Sequence, residues 1–153
     1  MMMAETETSS IAPCQVILIE DSVDDAWVAR RAFRRHRLDE ALKIFGSGEE
    51  ALAYLRSRAS SEGFEATRPR VIFLDLKLQG IRGHEVLRLI RAHEKLKLIP
   101  VVIVSSSQSE VDVNESYRLG ANSYIRKQYG QPQPGEYLVA IAQYWLQLNL
   151  PPN

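Results

Sequence analysis

The sequence predicts an α/β fold: a three-layer, doubly wound sandwich around a five-stranded parallel sheet. Two observations predict it. Short apolar, largely β-branched runs recur at Val16–Ile19, Leu42–Phe45, Val71–Leu74 and Val101–Val104, without the polar alternation of a half-exposed strand. That is the pattern of strands covered on both faces. Segments of helical period lie between the runs, so strand and helix alternate, and right-handed crossovers then restrict how the sheet is wound.

After the first strand, residues 22–36 open on Ser22 as N-cap and place Val23, Ala26, Trp27 and Phe33 near one face, with Trp27 expected in the core or half-buried. The second helix follows the Leu42–Phe45 strand. It opens on Ser47, with Glu50 at the capping-box position and apolar residues at Ala51, Leu52 and Leu55. Residues 59–70 are polar, contain Gly63 and Pro69, and read as an irregular surface connection to the third strand. Helices are expected near 83–94, 109–119 and 134–148, with Gly120 capping the second of these. A fifth strand, Ser123–Arg126, rests mainly on its position. The expected organisation is a flexible tail over 1–14, one domain over 15–148 and a short tail over 149–153, with no output domain beyond Lys127.

The 153 residues carry 19 Lys plus Arg against 19 Asp plus Glu. Zero net charge argues against non-specific nucleic-acid binding, and no apolar run reaches the roughly 20 residues of a membrane helix. Cys14 is the single cysteine, which excludes an internal disulfide and suits a reducing compartment. Residues 1–10 lack the basic and apolar regions of a signal peptide, so a cytoplasmic location is expected.

In open α/β sheets ligands sit beyond the carboxyl ends of the strands, where the strand order reverses. The first strand ends in Glu20-Asp21 and the third in Asp75. Three carboxylates brought together there repel one another unless a cation lies among them, and hard oxygen ligands suit magnesium. Asp24 and Asp25 are expected only to favour the first turn of their helix. The fourth strand runs into Ser105, a hydroxyl donor, and the fifth into Lys127, a point positive charge. An aspartate, a metal, a hydroxyl and an ammonium on one edge describe phosphoryl transfer to a carboxylate.

The stretches VILIED (16–21), VIFLDLKLQGIRG (71–83), PVVIVSSS (100–107) and YRLGANSYIRK (117–127) resemble the receiver domains of two-component response regulators, and the resemblance covers residues 15 to about 148. It implies the flavodoxin-like receiver fold with strand order 2-1-3-4-5. It makes Glu20 and Asp21 the acidic pair for Mg2+, Asp75 the phosphoacceptor and a metal ligand, and Lys77 a further ligand through its backbone carbonyl. Ser105 and Lys127 match the hydroxyl and lysine that act on the phosphoryl group, and Tyr124 matches the aromatic switch. Two positions depart from the family. Gln79 replaces a common proline, which is expected to leave the loop after the third strand less constrained. Gln128 replaces the proline that usually follows the lysine, which leaves the path of 128–135 open.

Within the family, the long connection at 59–70 and the ending YWLQLNLPP look like regulators paired with phytochrome-type histidine kinases. A flavin carrier is disfavoured, because acidic residues stand where its phosphate would bind. An aspartyl phosphatase is disfavoured too, because Lys77 stands where its general acid belongs. A receiver-like module that binds partners without phosphorylation stays open as the alternative. Five arginines between Arg30 and Arg37 are expected to be a solvated face, with docking to a kinase next. His36, His84 and His93 have no carboxylate or Cys partner at motif spacing. In the last helix Leu138, Ile141, Trp145 and Leu148 form one stripe and Tyr137, Ala140 and Tyr144 a second, which predicts a homodimer through this helix and the C-terminal tail.

Overall fold

The computed structural model describes residues 14–153, so the tail expected over 1–14 lies outside them except for Cys14. Strands β1 (Val16–Ile19), β2 (Leu42–Phe45), β3 (Val71–Leu74), β4 (Val101–Ser105) and β5 (Ser123–Arg126) form one parallel sheet in the order β2-β1-β3-β4-β5. β1, β3 and β4 are buried along their whole length. Side chains alternate across the sheet, so each strand feeds two cores. Val16, Leu18, Val71, Phe73, Val102 and Val104 face one, and Ile17, Ile19, Ile72, Leu74, Val101 and Ile103 face the other.

Helices α1 (Val23–Arg35) and α5 (Glu136–Gln143) cover the first core, while α2 (Gly48–Ala59) and α3 (Gly83–Ala92) cover the second. Helix α4 (Glu110–Arg118) joins α3 through His84 Nε2 and Ser116 Oγ, 2.9 Å apart. Ser22 and Ser47 cap α1 and α2 as expected, each Oγ accepting a backbone N–H at 3.2 Å, from Asp25 and Glu50 respectively.

The buried stripe of α1 differs from the expected one. Ala29, Ala32 and Phe33 face the core, whereas Val23 and Trp27 are 81% and 58% exposed. The small alanines let α1 lie close to the chain entering α5: a Cβ at Gly135 would stand 2.9 Å from that of Ala32. Trp27 lies on the outer side, with the Arg31 guanidinium 4.8 Å from its ring centre. Residues 59–70 are not wholly irregular either, since Phe64–Thr67 makes one helical turn and buries Phe64.

Helix α5 buries Leu138, Val139 and Ala142 and continues as a π-helical turn, Tyr144–Leu148, closed by the Asn149 N–H on the Tyr144 carbonyl at 2.9 Å. The wider turn carries Leu148 out of the expected stripe, to 73% exposure. Residues 151–153 turn back toward the amino-terminal edge of β3 and β4, where Arg68 donates to the Pro152 carbonyl. His36, which has no carboxylate partner at motif spacing, meets Glu136 from the far end of the chain at 2.7 Å beside Arg35, which ties the end of α1 to the start of α5. No helix among the described residues is long and apolar enough to cross a membrane.

Candidate functional site

The register and alternation of the strands build the site. Ile19 pairs with Leu74, so the next residues, Glu20 and Asp75, leave the sheet side by side. Both continue the rows of Leu18 and Phe73, which face the α1 and α5 layer, and Lys127 continues the row of Ile125 toward the same layer. Glu20 and Asp75 are each 5% exposed. Lys127 Nζ lies 2.8 Å from Glu20 Oε1, 2.8 Å from Asp25 Oδ2 and 3.0 Å from Asp75 Oδ2.

Backbone amides hold the second oxygen of Glu20 and of Asp75, and one oxygen of Asp21. The Ser22 N–H donates to Glu20 Oε2 at 3.1 Å, the Lys77 N–H to Asp75 Oδ1 at 3.2 Å and the Gln79 N–H to Asp21 Oδ2 at 3.0 Å. Glu20, Asp21 and Asp75 each place one oxygen within 4.8 Å of the others, the one such cluster among the described residues. Burial pushes the Glu20 carboxyl up to about 7; Asp75 adds to the effect and Lys127 opposes it. Burial alone would lower Lys127, but its bonds to Asp25 and Glu20 outweigh that and hold the ammonium charged. One ammonium thus faces three carboxylates, with Asp21 a fourth beside them, and the surplus negative charge on all-oxygen donors fits a small hard divalent cation.

Ser105 and Tyr124 stand apart from this group. Ser105 continues the rows of Val101 and Ile103, so it leaves the sheet toward the α2 and α3 layer. It is fully buried, its Oγ accepts the Ser107 N–H at 3.1 Å, and its own hydroxyl proton has no partner among the described residues. Tyr124 pairs with Ile103 across the sheet, packs against the same core, and donates its hydroxyl to the Ser107 carbonyl at 2.8 Å. Ser107 therefore links the two, a connection made by its backbone and not announced by its residue type. The Lys77 side chain is exposed.

Two expectations are corrected here. Asp25 does more than favour a helix terminus: its carboxylate binds Lys127 and lies 3.3 Å from the Tyr129 hydroxyl. The loop after β3 is pinned, not loosened, because Gln79 supplies an N–H that proline lacks, and the Ile81 N–H donates to Glu49 at 3.0 Å. Gly83 closes that loop on the site. A Cβ there would stand 2.3 Å from the Asp75 carbonyl oxygen and 2.6 Å from Leu76 Cα. Residues 128–135 leave β5 with Tyr129 over Asp25, turn at Gly130 (φ 74°), and enter α5 at Gly135 (φ 85°).

A parallel sheet of this order with an acidic cluster at its carboxyl edge defines a phosphoacceptor receiver fold. Residues 16–137 match the response regulator receiver domain, and the chain belongs to that family. It is 35% identical over 141 residues, 92% of this chain and 89% of the relative, to the Probable methanogenesis regulatory protein FilR2 of Methanothrix harundinacea. It is 33% identical over 135 residues, 88% of this chain and 90% of the relative, to Response regulator Rcp1 of Synechocystis sp.. Among solved structures, the phosphorylated cyanobacterial phytochrome response regulator RcpA superposes with a TM-score of 0.79 at 34% identity, covering 93% of this chain and all 100% of that one. The Mn(2+)-bound form of Rcp1 gives 0.74 at 33% identity, covering 91% of this chain and 99% of that one.

Proposed function

We propose that Asp75 accepts a phosphoryl group from a sensor histidine kinase in a magnesium-dependent reaction, and that the acyl phosphate switches a protein-binding surface. One observation carries this reading: the Asp75 carboxylate is buried, Lys127 Nζ lies 3.0 Å away, and oxygens of Glu20 and Asp21 lie within 4.8 Å. A carboxylate oxygen of Asp75 attacks phosphorus; the new O–P bond forms as the P–N bond of the donor phosphohistidine breaks, and the imidazole leaves with the electron pair. Glu20, Asp21, Asp75 and the Lys77 carbonyl would hold Mg2+. When bound, the ion neutralises the carboxylates and the phosphoryl oxygens. Lys127 contributes a further positive charge, and Ser105 turns its free hydroxyl proton to a phosphoryl oxygen. Attack of water on the acyl phosphate returns Asp75 and inorganic phosphate.

Ser105 and Tyr124 leave the sheet on one side and share Ser107, so a shift of the Ser105 loop toward the phosphoryl group also moves the acceptor that holds the Tyr124 hydroxyl. That supports Tyr124 as the switch. The domain is 15–148, working in the cytoplasm. Similarity to the phytochrome response regulator RcpA supports a phytochrome-type kinase as its donor. Ala140 and Tyr144 are exposed, and with Ile125, Ile141 and Trp145 they line a shallow apolar depression, while Leu148 and Leu150, farther along the chain, are exposed as well. This supports a two-fold homodimer through α5 and the residues that follow it, and Tyr144→Glu should return a dimer to monomer in light scattering.

Kinases pre-loaded with labelled phosphate test the function directly. Rapid movement of label to this chain from a phytochrome-type kinase, and slow movement from others, is the expected result. Equal, slow transfer from all of them would refute the pairing.

A further inference from the structure

We propose that Asp25 is a positioning residue for the phosphoryl transfer, tethering Lys127 so that one of its donors stays aimed at the acceptor. The proposal rests on Asp75 being that acceptor. Among the described residues the Lys127 ammonium donates hydrogen bonds to Asp25 and Asp75 and forms an ion pair with Glu20. The contact with Asp75 is the longest, at 3.0 Å against 2.8 Å for the other two. It is also the one that must be shared with an arriving phosphoryl oxygen. Glu20 belongs to the cluster that fits a divalent cation, so its oxygens are drawn toward that ion when it binds. Asp25 lies outside the cluster and is the one tether whose hold on Lys127 does not compete with the metal.

The local structure holds Asp25 for this purpose. Its backbone N–H is bound to Ser22 Oγ, so Ser22 performs the capping, and the Asp25 carboxylate accepts no backbone amide among the described residues. Its Oδ2 receives Lys127 from within and the Tyr129 hydroxyl, at 3.3 Å, from the loop outside. Tyr129 thereby limits the freedom of the carboxylate on its solvent side. Asp24, one residue earlier in the same helical turn, is exposed and serves as the control.

The test measures the rate of Asp75 phosphorylation by a saturating small acyl phosphate, together with magnesium affinity by calorimetry, for the wild type, Asp24→Ala, Asp25→Ala and Asp25→Asn. Loss of a hydrogen bond to a charged group predicts a rate about tenfold lower for Asp25→Ala. Asp25→Asn keeps an acceptor of the same shape without the charge and should fall between Asp25→Ala and the wild type. Asp24→Ala should match the wild type, and magnesium affinity should stay within about twofold throughout. An Asp25→Ala rate equal to that of Asp24→Ala overturns the proposal. So does a loss of magnesium affinity in proportion to the rate, which would place Asp25 with the metal and not with Lys127. If instead the wild type is not labelled at Asp75, the acceptor assignment fails first.

Discussion

Lys127→Met removes the one positive charge from a buried group of carboxylates and leaves a side chain of similar length. The side chains of Lys127, Glu20 and Asp75 are 8%, 4% and 7% exposed, and that of Asp25 is 25% exposed. Summing three contacts at 2.8 to 3.0 Å would overstate the loss, because desolvation of the ammonium cancels most of the attraction. The relevant comparison is the removal of one partner of a buried pair, which costs about 3–5 kcal/mol because the other charge is left uncompensated. At pH 8 without metal the variant should therefore lose about 4 kcal/mol, or roughly 10 to 15 °C in Tm for a domain of this size. Glu20 sets the pH dependence. Its carboxyl is already raised to about 7, and losing Lys127, which opposes that rise, lifts it further. A carboxyl raised in the folded state contributes stability that is present below its unfolded value and lost as pH rises through the folded one. The deficit of the variant should accordingly shrink at pH 5 and grow toward pH 8. Magnesium should recover more stability in the variant than in the wild type. Urea unfolding at both pH values, with and without metal, measures all of this, and an equal deficit at pH 5 and pH 8 would refute the electrostatic account.

Three further outcomes follow from the same geometry. Because Glu20 must lose a proton to bind a cation, magnesium affinity should fall by up to about tenfold per pH unit as pH drops below about 7, as calorimetry at pH 8, 7 and 6 would register. Asp21→Ala should weaken magnesium binding far more than Asp25→Ala, since only Asp21 shares the cluster with Glu20 and Asp75; equal losses would contradict the assigned ligands. Gly83→Ala forces a Cβ against the backbone of Asp75 and Leu76 and should cost about 3 kcal/mol, the upper end for overpacking, with slower phosphorylation because Asp75 must move.

The frame of the molecule is legible in the sequence because buried parallel strands write themselves as unbroken apolar runs, and all five strands lie where those runs or their positions put them. Alternation then carries Glu20, Asp75 and Lys127 to one side of the sheet without further information. Asp25 escapes such reasoning because an acidic residue in a first helical turn is already explained by its helix, while its true partner lies 102 residues away. The pinning of Asp21 by Gln79 escapes it because the group involved is a backbone N–H, common to every residue except proline. Trp27 misleads because large apolar residues dominate a periodicity count, whereas α1 packs through Ala29 and Ala32, whose small side chains allow close approach. The exposure of Leu148 depends on a π turn that widens the helix beyond the 3.6-residue period of an α-helical stripe.

Asp75 as the phosphoacceptor is the centre of the account, and one measurement addresses it most directly. The wild type and Asp75→Asn are incubated with a small acyl phosphate and magnesium, and the intact masses and the proteolytic peptides are compared. The expected result is a single phosphate adduct in the wild type, on the peptide that contains Asp75, dependent on magnesium, and none in Asp75→Asn, whose amide cannot form an acyl phosphate. A full adduct that persists in Asp75→Asn, or that maps to another residue of the wild type, would contradict it.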